Sequence, residues 1–143
     1  MAGIRGKNTK PELQLRRGLH ARGFRFRLHP TDLPGKPDVV FPKHKAVLFA
    51  QGCFWHGHNC RLFKWPQSRP EFWKTKIDRN VERDGEVQIL LTSRGWRVGR
   101  VWECALKGPG RLPADRLLDE CVKWLLSNNP NLELAGNEAR LSV

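Results

Sequence analysis

The chain of 143 residues has no apolar run approaching the roughly eighteen residues that a membrane-spanning helix needs, which excludes such a span. Its opening stretch, MAGIRGKNTKPE, carries charge but lacks the apolar segment of an export signal. Both absences point to a soluble, cytoplasmic protein. Acidic residues are scarce. The 14 Asp and Glu stand against 26 Lys and Arg, a formal net charge of +12. A field of that sign attracts polyanions. The bases are not gathered in a tail but recur at Arg5 to Lys10, Arg16 to Arg27, Lys64 to Arg83 and Arg94 to Arg100. That spread suits a folded body with a basic face, and nucleic acid is the leading partner.

Cysteine is sparse too: Cys53, Cys60, Cys104 and Cys121. Without an export signal these read as metal ligands or buried thiols rather than disulfides. There is no internal repeat and no second domain. Residues 1–127 read as one domain, and 128–143, NNPNLELAGNEARLSV, as a polar, weakly patterned C-terminal tail.

What is present reads as alternating helices and strands. TKPELQLRRGLHARG suits a helix with a Thr9-x-x-Glu12 capping box, Leu15 and Leu19 on one face, and a stop at Gly23. FRFRLH alternates Phe24, Phe26 and Leu28 with Arg25, Arg27 and His29, a strand with a basic outer face. DVVF and AVLFA are short strands that PKHK joins at hairpin distance. SRPEFWKTKIDRNVERDGEVQILLTSRG predicts a long helix with a Ser68-x-x-Glu71 box and a bend at Gly85. Its core side would carry Trp73, Ile77, Val81, Val87 and Leu91. WRVGRVW is a further strand, and PADRLLDECVKWLLS a closing helix. The order α-β-β-β-α-β-α predicts a mixed sheet flanked by helices.

The segment FAQGCFWHGHNC is crowded with chemistry. Cys53-x4-His58-x-Cys60 offers three soft ligands, and structural zinc sites close with four. His56, Cys104 and Cys121 are the candidates for the fourth. Cys121 lies on the apolar stripe of the closing helix, as a core thiol would. Cys104, following VWE at a strand end, is favoured. His56 is then left for general-base work near neutral pH.

Asp38 stands at the start of one strand, and the neighbouring strand ends at Ala50. A carboxylate beside a main-chain carbonyl can hold Mg²⁺, which prefers oxygen ligands and activates phosphate chemistry. Glu12 adds a second carboxylate. Nuclease hairpins of this shape carry an acid and a lysine on the second strand. FAQ stands there, so Ala50 could give only its backbone oxygen, and the base must come from elsewhere, with His56 able to serve.

Together GKNTKPE, LPGKPDVVF, GCFWHGHNC, EFWKTKIDRNVERD and GWRVGRVWECAL resemble the very short patch repair DNA mismatch endonucleases, in order from about Met1 to Leu106. The resemblance implies a restriction-endonuclease-like (PD-(D/E)XK-type) α/β core with a structural zinc site. It implies Mg²⁺-dependent nicking of the T-containing strand at T:G mismatches left by 5-methylcytosine deamination. The protein would work on duplex DNA as a monomer near the bacterial nucleoid, in company with a DNA cytosine methyltransferase. Asp38 and the Ala50 carbonyl would hold Mg²⁺, His56 would be the base, and Glu12 would support the waters around the ion. Cys53, His58, Cys60 and Cys104 would hold Zn²⁺. Phe54 and Trp55 would wedge into the duplex, with Met1 as a third wedge residue. Lys76 and Asn80 would approach the DNA from the long helix. Members commonly have histidine where Gln51 stands, in the active site, and an N-terminal arm ahead of the position of Met1. Two other readings accompany this one. One is a zinc-stabilised DNA-binding protein with weakened catalysis, which Gln51 motivates. The other is a related nuclease with a different DNA substrate.

Overall fold

The computed structural model describes residues 10–60 and 62–137. Helix α1 spans Lys10–Ala21, with Leu15 and Leu19 buried as their four-residue spacing predicts. Thr9, the expected cap, and Met1 lie outside the described residues. Gly23 ends the helix at φ 91, a left-handed conformation that costs glycine little.

The strand expected over 24–29 is shorter than its alternation suggested. Only Arg27–Leu28, strand β1, pairs, and both residues are exposed. Phe24 and Phe26 do turn inward, edge-on to Phe41 at 6.3 and 5.8 Å between ring centroids. His29 does not join a basic outer face. Its backbone turns to φ 46, and its ring is directed inward at Glu12.

Strand β2, Val39–Phe41, and strand β3, Ala46–Gln51, form the expected antiparallel hairpin across a 3-10 turn at Pro42–His44. Strand β4, Arg97–Trp102, runs parallel to β3, so the connection must cross over, and helix α2, Pro70–Ser93, lies on that crossover. Helices α3, Glu103–Leu106, and α4, Ala114–Leu125, follow. They lead to strand β5, Asn131–Leu134, which pairs parallel with β4. This strand falls inside the stretch read as a tail. Its alternation, NLEL, is only four residues long and set among polar residues, so it passes for unpatterned sequence. Tertiary contact makes it a strand: Leu132 and Leu134 pack against the main core. The sheet is a mixed five-stranded one in the order β1-β2-β3-β4-β5.

Side-chain alternation divides the core between the two faces of the sheet. Leu48, Ala46 and Val101 pack with Leu15 and Leu19 of α1 and with Leu117, Cys121 and Trp124 of α4. Val47, Phe49 and Val98 face the other way, onto Leu91 of α2. Cys121 is fully buried, the core thiol its position on the stripe implied.

Helix α2 departs from expectation in three respects. It runs unbroken through Gly85. Only Ile77 and Leu91 are fully buried, while Val81 is 47% exposed. The Ser68 capping box does not form. Arg69 occupies the cap in a left-handed conformation (φ 52), and Pro70, with no N–H to leave unsatisfied, opens the helix. Among the described residues no helix is long and apolar enough to cross a membrane.

Candidate active site and metal centre

The hairpin and α1 converge on a group of buried acids. Asp38 enters β2 from the Pro37 turn, and its Oδ2 accepts a hydrogen bond of 2.7 Å from the Ala50 N–H on β3. This bond holds the carboxylate against the Ala50 backbone. Glu12, in the first turn of α1, is 1% exposed, and its Oε2 accepts from Arg16 Nη1 at 3.1 Å. The same oxygen lies 2.8 Å from His29 Nε2. Ligand atoms of Glu12, His29 and Asp38 all lie within 4.8 Å of one another, close enough to share one ion. Burial pushes the Asp38 carboxyl up to about 7, and the nearby Glu12 charge adds to the rise. The Ala50 N–H, His56 and Arg16 oppose it. A carboxylate that burial keeps so close to neutrality is stabilised in its charged form by a cation. Oxygen ligands and one imidazole suit a hard divalent ion.

A second cluster lies beyond the end of β3. Sγ of Cys53, Nδ1 of His58, Sγ of Cys60 and Sγ of Cys104 also lie within 4.8 Å of one another. His58 Nδ1 is 3.5 Å from Cys53 Sγ and 3.6 Å from Cys104 Sγ. Cys104 arrives on α3, directly after β4, as the favoured fourth member. The set can hold a metal ion. Its surroundings are built to orient it. The Cys104 N–H donates to Cys53 Sγ at 3.3 Å, and the Gly136 N–H to Cys104 Sγ at 3.2 Å. Glu103 Oε1 accepts from the Cys53 N–H. The His58 ring stacks on Trp102, centroids 4.0 Å apart, and Trp102 Nε1 is tied to Glu133 Oε2 on β5. Burial raises the Cys53 thiol well above its ordinary range and raises that of Cys104 as well. Metal ligation would reverse that rise, because thiolate is the ligating form.

His56 stands outside this cluster. Its Nδ1 lies 2.6 Å from Asp84 Oδ2 on α2. With a carboxylate holding the Nδ1 proton, Nε2 is left as an acceptor, the arrangement a general base requires. Arg100 of β4 supports this part of α2, donating to the Asp84 carbonyl and to Gln88 Oε1. Gln51, at the end of β3 opposite Trp102, is 5% exposed, and its Oε1 has no hydrogen-bond partner among the described residues.

The loop between β3 and α2 carries the aromatics. Phe54 is half-buried, stacked on Phe63 at 5.7 Å and edge-on to Trp73 at 5.4 Å. Trp55 is 36% exposed. Asn80 Nδ2 donates to the Trp55 carbonyl at 2.9 Å, so α2 fixes the loop from below. Gly57, at φ 61, brings the loop close to α2, where an added Cβ would sit 2.9 Å from Ile77 Cγ2. Lys76 is exposed on the same helix.

The DNA mismatch endonuclease Vsr of Escherichia coli K12 is 40% identical to this chain over 134 residues, 94% of the chain and 86% of the relative. The chain belongs to the Vsr DNA mismatch endonuclease family. The family model described as DNA mismatch endonuclease Vsr matches residues 1–62. The type II nicking enzyme V.XorIIP of Xanthomonas oryzae is 51% identical over 114 residues, covering 80% of the chain and 84% of the relative. V.NmeAIP of Neisseria meningitidis, another type II nicking enzyme, is 45% identical over 107 residues, 75% of the chain and 76% of the relative.

In this member of the Vsr family, Glu12 and Asp38 meet in one cluster, Cys53, His58, Cys60 and Cys104 in another. Three participants escaped sequence reasoning. His29 was assigned to a strand face, and no local pattern marks it otherwise. Asp84 is one of several acids on a solvated helix and lies 28 residues from its partner His56. Glu133 belongs to the strand read as tail. The NVERD motif, which contains Asp84, was the one available signal.

Proposed function

We propose that this chain is a restriction-endonuclease-type enzyme that nicks the T-containing strand at T:G mismatches, by Mg²⁺-dependent hydrolysis of a phosphodiester. The observation that carries it is the buried Glu12–His29–Asp38 cluster, its ligand atoms within 4.8 Å of one another, in a chain that also holds His56 Nδ1 2.6 Å from Asp84. Asp38 and the Ala50 carbonyl would hold Mg²⁺, with Glu12 beside them. When bound, the ion would supply positive charge to the phosphate. His56 Nε2 takes a proton from the attacking water as its oxygen bonds to phosphorus and the phosphorus–oxygen bond to the leaving strand breaks. Asp84 keeps the imidazole in the acceptor tautomer and stabilises the charge it gains.

Zinc fits the thiol-rich cluster. A tetrahedral ion with Zn–S of about 2.3 Å and Zn–N of about 2.05 Å separates an S and an N ligand by about 3.6 Å. The two S to N separations here are 3.5 and 3.6 Å. A braced loop presents Phe54 and Trp55 to DNA at low entropic cost, and a mismatch, already poorly stacked, is cheap to wedge open. Met1, Lys76 and Asn80 would add DNA contacts. The working unit is a monomer on duplex DNA in the cytoplasm, repairing damage that a cytosine methyltransferase makes possible.

The test is a nicking assay on T:G, T:A and C:G duplexes with Mg²⁺. Cutting of the T strand at T:G alone is expected, and equal cutting of matched DNA would sink the mismatch reading. Asp38→Ala should abolish cutting and spare DNA binding. The second reading, a DNA-binding protein with weakened catalysis, draws on Gln51, whose buried Oε1 has no hydrogen-bond partner among the described residues. Tight T:G binding without cutting by the unaltered protein would favour it.

A further inference from the structure

The wedge pair belongs to a larger aromatic array whose outer members the proposed function leaves unused. From Phe54 the rings continue through Phe63 to Trp65, which meets Phe63 edge-on at 4.9 Å. From Trp55 they continue through Trp73, at 5.8 Å, to Phe72, at 5.1 Å. The inner rings, Phe63 and Trp73, are half-buried, whereas Trp65 is 52% and Phe72 44% exposed. The array therefore surfaces at three points: the wedge residue Trp55 in the middle, and one ring beyond each member of the pair. Exposed large aromatics are costly to leave in water, and Trp65 lies among exposed Lys64, Gln67 and Ser68 rather than in an apolar patch. A cation accompanies Phe72, with the Arg69 guanidinium 4.3 Å over its ring. Within 62–73 the charges are Lys64 and Arg69 against Glu71.

Resting on the proposed function, we propose that Trp65, Arg69 and Phe72 form an outer DNA-contact surface, which grips the strand flanking the mismatch while Trp55 and Phe54 engage the mismatch itself. Rings interleaved with bases are the chemistry of unstacked nucleotides and their phosphates: aromatic faces stack on bases, and guanidinium pairs with phosphate. Trp65 stands two ring contacts from Phe54, 5.7 and 4.9 Å, a reach of at most about three base steps at roughly 3.4 Å each. Nucleotides on either side of a wedge are the ones it unstacks. Charge argues against a second copy of the chain as occupant, since two bodies of net charge +12 repel each other.

The test measures binding of the whole protein to a T:G duplex and to the same duplex cut back to two base pairs on one flank of the mismatch, each flank in turn, so that one truncation removes the nucleotides Trp65 would reach. Trp65→Ala should weaken binding to the long duplex by about tenfold, and Trp65→Phe should restore most of it, because a ring is retained. On the duplex cut back on that flank the penalty should largely vanish. Arg69→Gln should lower the slope of log affinity against log salt by about one. Among the described residues Trp65 makes its ring contact with Phe63 and is 52% exposed, so an unchanged melting temperature for Trp65→Ala is expected and separates contact loss from unfolding. Equal binding of every duplex by the Trp65→Ala and unaltered proteins would overturn the surface. So would a dimer of the unaltered protein that Trp65→Ala dissociates. If the unaltered protein ignores T:G altogether, the proposed function fails. If it binds and nicks T:G but is indifferent to Trp65 and Arg69, only the outer surface does.

Discussion

Asp38 and His56 are each held by a group remote in sequence, Asp38 by the Ala50 N–H and His56 by Asp84. His56 is oriented by Asp84, so Asp84→Asn replaces the charged acceptor of the Nδ1 proton with an amide that can donate to Nδ1 instead, which favours the wrong tautomer. The nicking rate should fall by about 10² to 10⁴, with DNA affinity within about twofold, read from single-turnover rates. A variant within threefold of the unaltered rate would remove His56 from the base role. Asp38 gives a pH prediction. Its folded value is raised from the ordinary carboxylate range to about 7, so in the metal-free protein the folded state holds the proton more tightly than the unfolded chain does. That contribution to stability is present below about pH 4 and is lost as pH climbs through about 7. A divalent cation binds the ionised form. Calorimetric Mg²⁺ affinity should therefore fall about tenfold per pH unit below about 7 and level off above it. Affinity independent of pH between about 5.5 and 8 would place the ion elsewhere. Gln51 has no titratable group to contribute to either profile.

The elements explain how such groups meet. The β2–β3 hairpin sets Asp38 beside Ala50, and the crossover through α2 returns Asp84 and Asn80 beneath the loop that leaves β3. Strand β5 reaches both centres. Glu133 holds the tryptophan on which His58 stacks, while Asn131 accepts from Gln88, itself bonded to Arg100. The loop of aromatics has little core of its own. Its shape depends on the Cys53, His58, Cys60 and Cys104 cluster and on close approach at Gly57. Cys104→Ser should therefore lower bound zinc, read by mass spectrometry or a chelator assay, and lower the melting temperature by several degrees. Full zinc content in that variant would contradict the ligand set.

At the scale of the whole molecule, charge dominates. The net charge of +12 makes association with DNA a counterion-release process. A protein neutralising six to ten phosphates should lose about 10³ to 10⁵ in affinity between roughly 50 and 200 mM salt, a slope that titrations at several concentrations would measure. A nearly flat response would mean that the basic side chains do not lie on the phosphate backbone. Charge of this kind is legible without coordinates because it depends on composition. The core was legible where periodicity is long, as in Leu15 and Leu19 of α1 or Leu117, Cys121 and Leu125 of α4. In α2 it was legible in part: Ile77 and Leu91 are buried and Trp73 and Val87 half-buried, but Val81 is exposed, because the two halves of the helix pack on different things. The first half meets the loop at Ile77 and the second meets the sheet at Leu91, so no single stripe describes it.

Residue types and local spacing are legible in the chain alone: Cys53, His58 and Cys60 on one segment, Asp38 after its proline, and Phe54 with Trp55 between Cys53 and His58. Short-range chemistry of this sort is fixed by covalent connectivity. The long-range partners come from the fold. His29 turns in to Glu12, Asp84 reaches His56, Gly136 caps the Cys104 sulfur, and a four-residue strand joins the sheet. Each of these contacts closes a long loop of chain, and its free energy comes from packing that no local window of sequence contains.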